Sequence, residues 1–107
     1  MEGFKEREKG NEAKYKVDQE LKFKATVIRD RMMARWAAEQ MGLPEERVGE
    51  YETEVVKAAM EAPGDEDIIS KIQRDLRTKG HDVSDDQLKA QLDSYMLTAI
   101  EEARDRS

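Results

Sequence analysis

Apolar side chains in this chain recur every three or four residues, and no stretch alternates apolar with polar residues for long. Hydrophobic residues make up 37% of the chain and charged residues 41%, so any core must be built from narrow helical stripes. Ala, Glu, Lys, Arg, Met and Leu favour helix, whereas the residues that favour strands are sparse. A length of 107 residues permits a single core. We therefore predict an all-α fold.

The longest stripe lies in residues 18–43, which contain the only tryptophan of the sequence. The spacing places Leu21, Ala25, Ile28, Met32 and Trp36 on one face, and Lys22, Arg29, Asp30, Arg31 and Glu39 elsewhere. Residues 1–17 are rich in charge and poor in apolar side chains. Because such a segment has little to bury, we predict a flexible arm that is either a solvated tail or a ligand for another protein.

Glycine and proline divide the rest of the chain. Gly42 suits a left-handed helix end, Pro44 suits a first helical turn, Pro63 with Gly64 suits a stop, and the third helical pattern runs to Gly80. Ser84 and Gln87 have the spacing of a capping box, and Val83 and Leu88 that of a hydrophobic staple. The later stripes are Val48, Tyr51, Val55 and Ala59; Ile68, Ile69, Ile72 and Leu76; and Leu92, Tyr95, Met96, Ala99 and Ile100. We predict helices at about 18–41, 44–62, 66–79 and 85–104, forming a four-helix body over residues 18–107 behind the arm.

Motifs for chemistry are missing from the sequence, which has no cysteine, no glycine-rich phosphate loop, no HExxH and a single histidine. We therefore predict a protein that is not an enzyme and needs no metal or cofactor. His81 is interpreted as a solvated loop histidine in preference to a pH sensor. Asp65, Glu66 and Asp67 are interpreted as helix-start acids in preference to a weak cation site.

Charge and hydropathy limit the partners. The net charge of −6 disfavours nucleic acid, and no apolar run is long enough to cross a membrane or act as an export signal. We predict a cytoplasmic protein without direct membrane insertion. Residues 1–24 hold seven bases and six acids, whereas residues 25–107 hold 12 bases and 19 acids, so the arm differs electrically from the body.

Four residues of the first helix are candidates for contact with a ligand or partner, namely Arg29, Arg31, Arg35 and Trp36. The arginines have the chemistry to hold a phosphate or an acidic partner, and tryptophan beside the Met32 and Met33 pair suits an adaptable pocket. A solvated face with Arg35 paired to Glu39, and a core tryptophan, are the preferred interpretations of the same residues.

Several short strings occur along the chain in a characteristic order. They are Gly3-Phe4, Arg7-Glu8-Lys9, Glu12-Ala13-Lys14, Asp18, Glu20-Leu21, Phe23 and Trp36-Ala37-Ala38-Glu39, continued by Glu54-Val55-Val56-Lys57-Ala58, Gly64-Asp65-Glu66-Asp67, Lys71-Ile72 and Asp82-Val83-Ser84-Asp85. Each string is short, but together they cover nearly the whole chain. In their order and spacing they resemble the zeta subunit family of alphaproteobacterial F-type ATP synthases.

The resemblance implies a four-helix inhibitor of ATP hydrolysis. Its arm would enter a catalytic interface of the F-type ATP synthase beside the rotor and block rotation, and the protein would be peripheral to the inner membrane and monomeric when free. Phe4 would be an apolar anchor, and Arg7, Glu8, Lys9, Glu12 and Lys14 would make polar contacts. Two alternatives stay open: a non-inhibitory module that docks through its helical body, and a weak nucleotide-binding regulator.

The chain departs from the family pattern in the arm. Gly10-Asn11 stands where members usually have a small apolar residue and an aromatic one, and Lys5 stands where an acid is common. A mid-helix glycine costs about 1 kcal/mol relative to alanine, and a lost aromatic anchor costs about 2 kcal/mol or more at an interface. We therefore expect a weakened arm.

Overall fold

The computed structural model of this chain describes residues 19–105, in which every regular element is a helix. The helices are α1 (Glu2–Met41), α2 (Glu45–Met60), α3 (Glu66–Thr78) and α4 (Asp85–Arg106). The predicted all-α, four-helix fold is confirmed. The bounds of α2, α3 and α4 differ from the predicted ones by at most two residues. The predicted flexible arm, residues 1–17, lies outside the described residues.

The α1–α2 and α3–α4 connections begin with the same glycine turn. Gly42 has φ +70° and Gly80 has φ +87°. The Leu43 N–H donates to the Ala38 carbonyl at 3.0 Å, and the His81 N–H donates to the Leu76 carbonyl at 2.9 Å. Both ends are Schellman motifs, in which glycine accepts the left-handed conformation and two N–H groups satisfy the last carbonyls.

The starts of α2 and α4 follow different rules. Pro44, predicted to lie in the first turn of α2, instead lies one residue before the helix in an extended conformation, and its carbonyl accepts a hydrogen bond from the Arg47 N–H. At α4, the Ser84 N–H donates to Gln87 Oε1 at 3.1 Å and the Gln87 N–H donates to Ser84 Oγ at 3.2 Å. The predicted capping box is therefore confirmed.

Helices α1 and α3 each contact the other three helices, α1 the more extensively, and within the described residues α2 and α4 do not pack against each other. The main core lies between all four helices and contains Met33, Ala34, Ala37, Ala38, Val48, Tyr51, Val55, Ile68, Ile69, Ile72, Leu76, Leu88 and Leu92. A smaller core of Ala25, Ala99 and Ala103 joins the first described turns of α1 to the last turns of α4. The predicted stripes of α2 and α3 are confirmed, with Ala59 half-buried.

The buried face of α1 differs from the predicted one. Of the predicted stripe only Ala25 is fully buried, whereas Ile28, Met32 and Trp36 are half-buried. The face nearest the other helices is formed mainly by alanines and also contains Arg29 and Asp30. Small side chains let α1 approach its neighbours closely. Of its larger apolar residues, Met33 is fully buried in the main core, whereas Ile28, Met32 and Trp36 lie at the flanks of the contact.

Candidate functional site

The arm residues proposed from the resemblance are Phe4, Arg7, Glu8, Lys9, Glu12 and Lys14, and all six lie outside the described residues. The roles assigned to them stay predictions. The other four candidates belong to the described part of α1, where the structure divides them among three environments.

Arg29 lies in an ion cluster that is buried at Arg29 and Asp30 and exposed at Asp65. Its Nε and Nη2 donate to Asp30 Oδ1 at 3.0 and 2.7 Å, and its Nη2 and Nη1 donate to the two carboxylate oxygens of Asp65 at 2.9 and 3.3 Å. Arg29 is 7% exposed and Asp30 3% exposed. The expectation that both lie away from the buried face of α1 is therefore wrong.

The ion cluster also gives Asp65 a different role from the predicted one. Asp65 stands at the N-terminal end of α3, but its side chain makes no capping hydrogen bond to that helix. Its carboxylate instead accepts two hydrogen bonds from Arg29 of α1. The cluster thus fixes the α2–α3 connection against α1.

Burial and pairing act in opposite directions on these charges. Burial lowers the pKa of Arg29, but the hydrogen bonds to Asp65 and Asp30 raise it by more than burial lowers it. The pKa of Arg29 is therefore above its ordinary value. Burial raises the pKa of Asp30 against the lowering effect of the guanidinium. Arg29 stays charged with its donors engaged inside the protein, so its chemistry here is that of a structural tie.

Arg31 and Arg35 lie together on the exposed side of α1. Nη2 of Arg35 donates to Glu45 Oε1 at 2.7 Å, which links α1 to the start of α2; the pairing predicted with Glu39 is thus replaced by one across helices. Arg31 makes no ion pair with another described residue. Both line a groove over α1 of about 660 Å³, whose walls come from α2 and α4.

Trp36 faces a different part of the surface. Its half-buried ring packs against the main core and lines a cavity of about 430 Å³ beside the α3–α4 connection, together with His81, which is exposed. The four candidates of α1 therefore do not form one site. Arg29 belongs to the ion cluster, Arg31 and Arg35 to the groove over α1, and Trp36 to this separate cavity.

A second charged cluster, between α2 and α3, was not foreseen from the sequence. The Tyr51 hydroxyl donates to Asp75 Oδ2 at 2.8 Å, Lys71 Nζ donates to the same oxygen at 3.1 Å, and Nζ lies 5.5 Å from the centroid of the tyrosine ring. Burial, the hydrogen bond to Asp75 and the charges of Asp75 and Glu54 raise the pKa of Tyr51. A signal was available, because a core tyrosine needs a partner for its hydroxyl and Lys71 and Asp75 are one turn apart.

Large apolar side chains are exposed at three described positions: Phe23 is 63% exposed, Met60 57% and Leu97 71%. Phe23 lines the groove over α1, and Phe23 and Met60 line a second cavity against the α2–α3 connection. In the sequence, Phe23 is one of the strings that resemble the zeta subunit family, and no role as an exposed residue was predicted for it. Its position two residues after Leu21, off the helical stripe, was the available signal that it lies outside the core.

Two features are absent from the described part of the chain. No three acidic or histidine side chains there converge on a position suited to a metal ion. In that same part, none of the helices combines the length and the apolar character that a membrane-spanning segment requires.

The fold and the charged clusters define a small four-helix protein in which polar side chains join the helices to one another. The family model for the ATPase inhibitor subunit zeta matches residues 1–102, and the chain belongs to this family. The resemblance found in the sequence is thereby confirmed. No curated protein and no solved structure matches the chain. Membership makes the chain a regulatory inhibitor subunit, not an enzyme, and indicates association with an ATP synthase.

Proposed function

We propose that this protein inhibits ATP hydrolysis by an F-type ATP synthase by inserting its N-terminal arm, residues 1–17, at a catalytic interface beside the rotor. The observation that carries the proposal is the family match over residues 1–102, which includes the arm. The protein supplies no chemistry of its own in this mechanism. It obstructs rotation in the hydrolysis direction, and rotation driven in the opposite direction expels it.

The distribution of charge supports a division of labour between arm and body. The net charge is +1 over residues 1–24 and −7 over residues 25–107. The basic arm residues Arg7, Lys9 and Lys14 would bind carboxylates or carbonyls of the enzyme, Glu8 and Glu12 would bind its bases, and Phe4 would be the apolar anchor. An arm that becomes ordered on binding loses conformational entropy, so the body must contribute affinity by docking as well.

The sequence also supports direct coupling between body and arm. No glycine or proline occurs between Gly10 and Gly42, so no helix-breaking residue separates the arm from the helix that crosses the body. A body docked on the enzyme therefore directs the arm. On this proposal the protein is cytoplasmic, monomeric when free, and reaches the inner membrane only through the ATP synthase.

The test is an ATPase assay on the purified cognate ATP synthase with the full chain and with residues 1–17 deleted. We expect the full chain to inhibit hydrolysis and the deletion to abolish inhibition. Full hydrolysis at a saturating concentration of the full chain contradicts the proposal.

Gly10→Ala tests whether the arm is weakened. Alanine removes the cost of about 1 kcal/mol that glycine imposes on a helix, so this variant should lower the half-inhibitory concentration about fivefold. Gly49→Ala is the control, because Gly49 lies in α2 and a Cβ there meets nothing within 4 Å.

One alternative has an observation in its favour. The exposed Phe23 suits a non-inhibitory module that docks through its body. That module predicts that deletion of residues 1–17 leaves the affinity for the enzyme unchanged and that the full chain has no effect on hydrolysis. The separation of Trp36 from the arginines of the groove leaves the nucleotide-binding alternative without a comparable observation.

A further inference from the structure

The groove over α1, hereafter the α1 groove, has an apolar floor that none of the residues 19–105 covers. The floor is formed by Phe23, Val27 and Met32, and α2 and α4 form its walls through Glu52 and Glu102. Val27 and Met32 are half-buried, whereas Phe23 is 63% exposed. The cavity of about 660 Å³ arises because α2 and α4 pack on α1 without meeting each other. A trough between helices with an apolar floor is the shape that receives an amphipathic helix.

The α1 groove is lined by more basic than acidic side chains, unlike the body as a whole. Lys24, Arg31 and Arg35 line it against two acids, although residues 25–107 as a whole carry a net charge of −7. Arg35 is held by Glu45, but Lys24 and Arg31 are exposed and make no ion pair with any described residue. Lys24 and Arg31 are two turns apart on α1, so they offer two cations along one side of the floor.

We propose that the α1 groove binds an acidic, amphipathic helix of the ATP synthase. Phe23 is the apolar anchor for that helix, and Lys24 and Arg31 pair with its acidic side chains. This inference rests on the proposed function, since it names the body surface that binds the same enzyme. Phe23 lies six positions after residue 17, the last residue of the arm. A helix seated in the α1 groove therefore holds the base of the arm at the enzyme surface.

The test is direct binding of the full chain, labelled at a site outside the α1 groove, to the purified cognate ATP synthase. Phe23→Ala should weaken binding about tenfold or more, because a lost aromatic anchor has an effect of that size. Phe23→Leu retains most of the apolar area and should restore binding to within about threefold of the wild type. Leu97→Ala is the matched control, since Leu97 is 71% exposed on α4 and lies outside the α1 groove; we expect a change of less than about twofold.

The charge component has its own pair of variants. Lys24→Glu combined with Arg31→Glu should weaken binding about tenfold at low salt and reduce its salt dependence, because close charge pairs are screened by ions. Lys57→Glu combined with Lys89→Glu makes the same change in net charge at exposed positions away from the α1 groove. This control should bind like the wild type to within about threefold. An equal loss in both double variants would show a general charge effect and overturn the inference.

The outcomes separate this inference from the proposed function. If the α1 groove variants bind like the wild type while the full chain inhibits, the docking surface is wrong and the proposed function stands. If the full chain binds without inhibiting, and the same variants weaken binding, the docking surface stands and the inhibitory mechanism fails. If sedimentation shows a dimer of the free chain that Phe23→Ala disrupts, and enzyme binding is unchanged, the α1 groove serves self-association and the inference is overturned.

Discussion

Arg29 and Asp30 are adjacent charged residues in the interior of a chain with little apolar material. Removal of one partner of a buried ion pair leaves the other charge desolvated, at a cost of about 3 to 5 kcal/mol. Since Asp30 is 3% exposed, we predict that Arg29→Met lowers the free energy of unfolding by that amount. Urea denaturation at neutral pH measures the loss, which is a large share of the stability of a domain of this size.

Two variants control this prediction. Arg31→Met changes the neighbouring exposed arginine and should alter the free energy of unfolding by less than about 0.5 kcal/mol. Arg29→Met combined with Asp30→Leu removes both buried charges and should recover most of the loss. A cost below about 1 kcal/mol for Arg29→Met alone would show that Asp30 finds water or another partner, contrary to the geometry.

Tyr51 makes stability depend on alkaline pH. Its pKa in the folded protein is raised above the ordinary 10.0 by burial and by donation to Asp75. Below pH 10 the phenol is protonated in both states; above it only the unfolded state loses the proton, so this contribution to stability falls as pH rises. We predict that the stability difference between wild type and Tyr51→Phe shrinks by about 1 kcal/mol between pH 9 and pH 11 in urea titrations.

The comparison of wild type with Tyr51→Phe separates the Tyr51 phenol from the other titratable groups. Every titratable group other than the Tyr51 phenol is present in both proteins, so the difference between them reports on that phenol and its contacts. Tyr95→Phe, at a half-buried tyrosine of α4, gives the baseline for a substitution of the same kind. A difference between wild type and Tyr51→Phe that stays constant to pH 11 would mean that the phenol ionises equally in both states.

At the scale of the helices, element ends were predictable and the buried face of α1 was not. The Gly42 turn and the Ser84–Gln87 capping box depend on residues close in sequence, so their chemistry can be read locally. The face of α1 depends on which neighbours approach it. The apolar spacing favours Ile28, Met32 and Trp36 as the buried residues, whereas the packed helices bury Met33 and the alanines.

The ion cluster shows the same limit for long-range contacts. Arg29 and Asp65 are 36 positions apart and meet only because the α2–α3 connection folds against α1. The apolar spacing within α1 carries no information about this contact, so it predicts Arg29 on the exposed side of the helix although Arg29 is buried. The α1 groove was likewise hidden, because it exists only where α2 and α4 fail to meet. The fold class was therefore readable from the sequence, whereas the positions of the charged contacts required the packing of helices.

Glycine-to-alanine substitutions should change the free energy of unfolding in opposite directions at the helix ends and inside a helix. Gly42 and Gly80 have positive φ, and a Cβ at either position meets nothing within 4 Å, so the cost is conformational only. We predict that Gly42→Ala and Gly80→Ala each lower the free energy of unfolding by about 1 to 2 kcal/mol. Gly49→Ala, inside α2 and also without steric conflict, should raise it by about 0.5 to 1 kcal/mol. Urea midpoints that move in the same direction for all three would contradict the assigned left-handed turns.

At the scale of the whole molecule, the body has a well-filled end and a thin end. The main core holds the largest fully buried side chains: Met33, Val55, Ile68, Ile72, Leu76, Leu88 and Leu92. The smaller core has three alanines at its centre, with Leu21, Ile28, Met96 and Ile100 only partly buried around them. Since burial free energy scales with apolar area, the thin end is held less strongly.

This unequal core predicts where the protein opens. Amides of residues 96–103 of α4, which pack on the thin end, should exchange hydrogen through local opening at a free energy at least about 2 kcal/mol below that of residues 68–76 of α3. Native-state hydrogen exchange measures both sets in one experiment. Equal protection of the two sets would show that the thin end opens only when the whole body unfolds. The thin end carries Phe23 and the side of α1 nearest the arm, so the proposed docking of a helix in the α1 groove should raise protection of residues 96–103 while leaving residues 68–76 unchanged.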